Sequence, residues 1–380
     1  MKLKLVFVLL SFQIVFLSNC KDKDALSEKE IIAEYLNLPT TPFDYLSLNV
    51  PDFLDKKNIL LQDNTPLSAA TSNQIVTLGR VLFYDKNLSK NNATACASCH
   101  IQKYGFSDTA TLSVGHLGGK TKRHSMGLAN ARFRVSARYF WDGRADNIEG
   151  QVLQPILDPV EMGMSISELV SKLNKLPYYP ILFKQAYGVS DISEQKIKTA
   201  LAAFVRSMIS FDSKYDQGRK NRPRDSVFNN FSPLENLGKS LFFNAQKGNC
   251  GGCHNTDAMV IDSPRNNGIS FEEFLANDVG YEVVSGNVND RGKFLPPSLR
   301  NIAVRPPYMH DGRFKTLSEV IEHYSDNIAW SSTLDEHLKN GTTPARFQLT
   351  TEEKEALEAF LNTLTDPQFL TDEKYSNPFR

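Results

Sequence analysis

The sequence predicts a mostly α-helical chain built as two tandem copies of one domain. Blocks of sequence recur in the same order in both halves, β-branched alternation is scarce, and capping patterns precede apolar residues at helical spacing. The chain of 380 residues has the length of about two domains. Hydrophobic residues make up 41% and aromatics 10%, enough to bury sizeable cores. Lys plus Arg total 43 and Asp plus Glu total 43, so the formal net charge is zero. That balance argues against a nucleic-acid partner, which would demand a basic excess.

In chain order, Lys2 and Lys4 precede an apolar run from Leu5 to Leu17, broken by Ser11 and Gln13. A basic start followed by a short apolar run is the order of an export signal. It ends in Leu17-Ser18-Asn19-Cys20, which resembles a lipobox with Cys20 as the lipidated residue, although Asn19 stands where Gly or Ala is usual. The predicted divisions are a signal over 1–20, a polar tether and N-terminal extension over 21–50, and two domains over 51–217 and 218–380. The Pro- and Arg-rich stretch from Gly218 to Asp225 is the predicted linker. Asp191 and Glu194 form a capping pattern before Ile197, Leu201, Phe204 and Val205. Thr350 and Glu353 do the same before Leu357, Phe360, Leu361 and Leu364, and Thr316 to Tyr324 reads as another short helix.

Apart from Cys20, the cysteines form two pairs, Cys96-Ala97-Ser98-Cys99-His100 and Cys250-Gly251-Gly252-Cys253-His254. C-x-x-C-H is the attachment sequence of c-type haem. Two thiols add to the porphyrin vinyl groups, and the adjacent His reaches the iron as proximal ligand. A zinc site would need the pairs closer in sequence, and a thioredoxin-like pair needs no His behind it. A disulfide within C-x-x-C is strained. Only seven His occur in the chain, and two stand directly behind the two pairs. The expected cofactors are therefore two covalent c-type haems, attached outside the cytoplasm.

The haem sequences sit inside the repeat. Leu78-Gly79-Arg80 matches Leu237-Gly238-Lys239; Leu128-Ala129-Asn130 matches Leu299-Arg300-Asn301; Asp142-Gly143-Arg144 matches Asp311-Gly312-Arg313. Aligning Gly143 with Gly312 puts Pro155 opposite Tyr324 and Trp141 opposite His310. Tyr can ligate iron and Pro cannot. One haem is thus expected to be closed and suited to electron transfer, the other open to a small oxidant. Glu161, six residues past Pro155, can act there as general acid or base.

These motifs, with Phe140-Trp141-Asp142-Gly143-Arg144-Ala145, Pro159-Val160-Glu161-Met162-Gly163 and Pro307-Tyr308-Met309-His310, resemble bacterial di-haem cytochrome c peroxidases and the related MauG oxidases. The resemblance runs from about Leu78 to Leu364. It implies two tandem class-I cytochrome c-type domains, each with one covalent c-type haem, the peroxidatic haem in 51–217 and the electron-transfer haem in 218–380. It implies His100 and His254 as proximal ligands, Glu161 as distal acid/base, and Trp141 between the haems. It implies His116 as a conditional ligand of the peroxidatic iron that must leave before peroxide binds. The implied partners are hydrogen peroxide and a small cytochrome c or cupredoxin donor, and members of the family are commonly homodimers. With the export signal and Cys20, the protein is expected in the periplasm, touching membrane only through its lipid anchor.

Two positions depart from the peroxidase pattern. Peroxidases place Met where this chain has Tyr324; MauG has Tyr, a hard ligand that favours ferric iron. The family's interdomain calcium uses an Asn side chain where this chain has His124, beside the carbonyls of Arg305 and Pro307, and a neutral nitrogen suits calcium poorly. Plainer readings stand beside these roles. Glu161 can be a surface carboxylate, Trp141 and Tyr324 core, and His116 a solvated loop residue. Met309 is the rival iron ligand, and His124, His323 and His337 read as structural or exposed. Three functions compete: a peroxidase, a MauG-like oxidase of a protein or peptide, and a non-catalytic di-haem electron carrier. Tyr324 favours the second, His116 the first, and Pro155 with Glu161 argues against the third.

Overall fold

The structure, a computed structural model, describes residues 26–48, 50–51, 54, 59–67, 71–134, 136–220, 222–260, 263–269 and 278–380. The export signal and Cys20 lie outside the described residues. The first part of the chain contributes α1 (Glu28–Tyr35), α2 (Asn73–Tyr84), α3 (Cys96–Cys99), α4 (Ile148–Leu157), α5 (Ile166–Asn174), α6 (Tyr178–Tyr187), α7 (Glu194–Ser207) and α8 (Lys214–Arg219). The second contributes α9 (Pro233–Phe242), α10 (Glu282–Ser285), α11 (Leu317–Asp326), α12 (Thr351–Asn362) and α13 (Pro367–Thr371). Among the described residues the sheet content is one hairpin, β1 (Lys339–Asn340) antiparallel to β2 (Thr343–Pro344). No described helix is long and apolar enough to cross a membrane.

The repeat has a physical basis in one helix crossing made twice. Helix α2 packs on α7, and α9 packs on α12. A Cβ added at Gly79 would lie 1.9 Å from the Ala200 carbonyl oxygen; at Gly238 it would lie 1.8 Å from that of Ala356. Only glycine lets the backbones approach so closely. Phe83 meets Phe204 at 5.3 Å between ring centroids, and Phe242 meets Phe360 at 5.1 Å, so each crossing carries the same aromatic pair. Each crossing anchors one of the two large hydrophobic clusters.

The two Leu-x-Asn motifs join the halves. Asn130 and Asn301 take left-handed backbone angles, φ 61° and 60°, which Asn tolerates better than most residues. Asn130 Nδ2 donates to the Ser210 carbonyl at 2.9 Å and Asn301 Nδ2 to the Ser210 hydroxyl at 3.0 Å. Both motifs therefore close on one buried residue.

Two local expectations are corrected. Helix α7 is N-capped by Ser193 and not by Asp191, whose carboxylate pairs with Lys196 Nζ at 3.0 Å, so the cap bond expected from Asp191 is not made. The linker does not begin at Gly218, because Gly218 and Arg219 close α8; a Cβ at Gly218 would meet Phe228 at 2.4 Å. Thr350 with Glu353, and Thr316 with Glu319, form complete capping boxes.

Candidate functional site

Each C-x-x-C-H sequence forms a tight turn that leaves its cysteines unpaired as disulfides. His100 Nδ1 lies 2.8 Å from the Phe106 carbonyl oxygen, and His254 Nδ1 lies 3.0 Å from that of Met259. A carbonyl only accepts, so Nδ1 carries the proton and Nε2 is left as a ligand atom. Burial pushes the His254 pKa down to about 4 and that of His100 below its ordinary value, so both rings are neutral, as iron ligation requires. An apolar cavity lies beside Cys250, Cys253 and His254, lined by Leu299, Leu317, Ile321 and Leu357 among others. These donors and this cavity fit a covalently held porphyrin.

In the first half, His116 and Glu161 come together. The hairpin-like loop bridged at Val114 and Lys120 turns the His116 ring inward, where it is 7% exposed, so it is not a solvated loop residue. The His116 backbone N–H donates to the Glu161 carbonyl at 2.9 Å. The ring packs against Gly163, where a Cβ would lie 2.5 Å from it, and its buried Nδ1 has no hydrogen-bond partner among the described residues. Glu161 is half-buried, and the nearby Asp158 carboxylate adds to burial in holding its pKa above the ordinary range, with Arg144 opposing. Its charge acts on both Cys96 and Cys99, so it stands near the first attachment turn.

In the second half, α11 begins and ends 169 residues after α4, the offset that aligns the two Asp-Gly-Arg motifs. Pro155 lies inside α4 and Tyr324 holds its place in α11. Tyr324 lines the cavity beside His254 together with Met309. Asn267 Nδ2 stands 3.4 Å from both the Tyr324 hydroxyl and Met309 Sδ, so one amide holds the two rival ligand atoms.

Trp141 borders that cavity from the other half. Its Nε1 donates to the His124 carbonyl at 2.8 Å, and its own carbonyl accepts from the Leu295 N–H at 2.8 Å. Its ring meets His310 at 6.3 Å, and His310 stacks on Phe294 at 3.8 Å. Arg123 ties this junction together, with Nη1 2.5 Å from Asp142 and Nη2 2.7 Å from Asp278.

Comparison with known proteins settles the family. Residues 73–223 match the family model described as di-haem cytochrome c peroxidase. Over 302 residues the chain is 32% identical to methylamine utilization protein MauG of Methylophilus methylotrophus, covering 79% of this chain and 84% of that one. The chain belongs to the di-haem cytochrome c peroxidase and MauG family. It is also 30% identical to cytochrome c551 peroxidase of Nitrosomonas europaea over 315 residues, 80% of this chain and 84% of that one. A crystal structure of a MauG-like protein associated with microbial copper homeostasis is 30% identical, with TM-score 0.75, covering 87% of this chain and 99% of the other. The family is one of di-haem c-type oxidoreductases.

Calcium does not fit the place the family resemblance suggested. His124 is buried, with Nδ1 3.1 Å from the Ala110 carbonyl and Nε2 3.3 Å from the Ser107 hydroxyl. The buried Arg305 guanidinium acts on the same ring, so a neutral imidazole and a fixed cation stand where an oxygen ligand is needed. His323 is buried with Nε2 3.0 Å from the Asn267 carbonyl, and the exposed His337 pairs with Asp335 at 2.7 Å. Sequence reasoning missed Asn267, and it quoted Gly163 within a motif without giving it a role. Neither belongs to a repeated motif, and each acts only through a neighbour distant in sequence.

Proposed function

We propose that this chain is a di-haem cytochrome c peroxidase, which reduces hydrogen peroxide to two waters with two electrons and two protons. The two domains of 51–217 and 218–380 divide the work. Cys96, Cys99 and His100 hold the peroxide-reducing haem, and Cys250, Cys253, His254 and Tyr324 hold the haem that receives electrons from a small exported cytochrome c or cupredoxin. Bound there, the two c-type haems supply the redox chemistry. The rest falls to side chains. Glu161 takes the proton from the inner peroxide oxygen and returns it to the outer one, which leaves as water. His116 closes the pocket at rest and withdraws when electrons arrive. Trp141 spans the distance between the two redox centres. The protein works in the periplasm, held by lipid on Cys20.

The single observation that carries this reading is the pairing of His116 with Glu161 beside the first C-x-x-C-H turn, just past a helix that offers Pro155 where its repeat offers Tyr324. The experiment is donor-dependent peroxide consumption by the purified di-haem protein, with absorption and EPR spectra in the oxidised and half-reduced states. Turnover that needs Glu161 and a small redox donor supports it; two low-spin, unreactive haems leave an electron carrier.

Tyr324 favours a second reading, a MauG-like oxidase that uses peroxide to modify a protein or peptide. Peroxide consumption that continues without a small donor and leaves an oxidised protein product would select it.

A further inference from the structure

Behind the first attachment turn lies a tyrosine cluster that the peroxidase reading does not use. Tyr179 is fully buried and donates its hydroxyl to Asp85 Oδ2 at 2.7 Å. Tyr178, 2% exposed, donates to the same oxygen at 3.0 Å. The two rings lie 4.7 Å apart between centroids. Tyr178 also meets Tyr35 at 5.2 Å, and Tyr35, at the end of α1, is open to solvent. At the inner end, Cys96 packs against the hydrophobic core to which Tyr179 and Tyr178 belong. The rings thus run from the core that Cys96 borders to the surface.

Turn geometry does not account for Asp85. Its Oδ1 accepts from the Asn87 backbone N–H at 2.7 Å, an ordinary capping bond. In the repeat, Asn244 holds the place of Asp85 and caps the same way, accepting from the Gln246 N–H at 2.8 Å. An amide oxygen is enough for that task. The first half alone has a carboxylate there, and its second oxygen receives both phenols. Burial and the Asp85 charge hold the Tyr179 pKa well above its ordinary value. A phenol so placed loses an electron readily only if its proton leaves at the same time, and Asp85 is the base in reach.

We infer that Tyr179, Tyr178 and Tyr35 form a relay carrying oxidising equivalents from the first haem site to a surface oxidation site at Tyr35, with Asp85 as proton acceptor. The relay rests on the peroxidase reading, since peroxide is its oxidant. In the first step Tyr179 gives one electron to the oxidised site and its phenolic proton to Asp85 Oδ2. Tyr178 then gives an electron to Tyr179 and its proton to Asp85, which returns the first proton to Tyr179. Finally Tyr35 gives an electron to Tyr178, Asp85 returns its proton there, and the Tyr35 proton passes to water. The net change is one electron inward from Tyr35 and one proton to solvent. A phenol substrate too large for the haem pocket can refill Tyr35 by giving up one hydrogen atom at the surface.

The test treats the full holoprotein with peroxide, no donor and the nitrone spin trap DMPO, and reads adducts by mass spectrometry while haem absorption is followed. The expected result is an adduct on Tyr35 that falls about tenfold in Tyr178→Phe, with a longer-lived oxidised haem spectrum. Tyr35→Phe, at an open position, must lengthen that lifetime without touching the buried cluster. A haem change with no Tyr35 adduct, or with an adduct indifferent to Tyr178→Phe, or with a lifetime indifferent to both variants, overturns the relay and leaves the peroxidase reading standing. No haem change with peroxide overturns that reading and the relay with it.

Discussion

The His116 N–H and the Glu161 carbonyl are joined at 2.9 Å, so the proposed gate and the proposed proton carrier share one backbone bond. A loop that withdraws His116 must therefore release or drag the segment that carries Glu161. The imidazole has room only because Gly163 lacks a side chain. In Gly163→Ala the new methyl would stand 2.5 Å from the ring, at φ 66°, where any side chain is strained. Gly163→Ala and His116→Ala are both expected to abolish the low-spin EPR signal of the first haem in the oxidised protein. Both should also remove any need for prior reduction before peroxide reacts.

Glu161 acts as a base in its ionised form. Burial and Asp158 raise its pKa, so the acid limb of the kcat/KM profile for peroxide is expected above the ordinary carboxylate range, with activity lost as pH falls through it. Glu161→Gln should lower kcat/KM by about 10²- to 10⁴-fold and erase that limb, with haem content unchanged. A limb that persists in the variant belongs to another group.

The Tyr324 oxygen and the Met309 sulfur, the two candidate iron ligands, line one cavity with Asn267 touching both. A Tyr ligand holds the potential low and a Met ligand raises it. Spectroelectrochemistry of Tyr324→Phe should show the His254 haem shifting to a higher potential, with a changed ferric spectrum. Met309→Leu should leave both nearly as they are. The reverse pattern would make Met309 the ligand.

At the two helix crossings the backbones touch. Gly79→Ala and Gly238→Ala each force a methyl into a carbonyl oxygen below 2 Å. Each should cost about 3 kcal/mol or more, seen as a lower thermal midpoint, because overpacking at a fixed crossing cannot relax into a void. Gly188, whose added Cβ would meet nothing within 4 Å although its φ is 77°, is the control and should lose far less.

Much of the architecture was legible in local sequence. Leu78-Gly79 and Leu237-Gly238, the two C-x-x-C-H turns and the two Asp-Gly-Arg motifs marked the duplication, and the offset of α4 and α11 is that of the Asp-Gly-Arg motifs. Thr316 and Thr350 marked helix starts because a capping box is a bond between residues three apart. Asp191 misled because Ser193, two residues on, holds the cap position, and a Lys was near enough to take the carboxylate.

By itself the sequence determined the helical class and the repeated motifs, the two C-x-x-C-H turns among them, since these depend on identity and short spacing along the chain. Only the tertiary structure decided that His116 is buried against Gly163, that Asn267 stands between Tyr324 and Met309, and that two tyrosines share Asp85. Those relations join residues far apart in sequence, and nothing in local propensity encodes them. They arise where helices cross at glycine and the packing of two repeated cores brings distant side chains within hydrogen-bond reach.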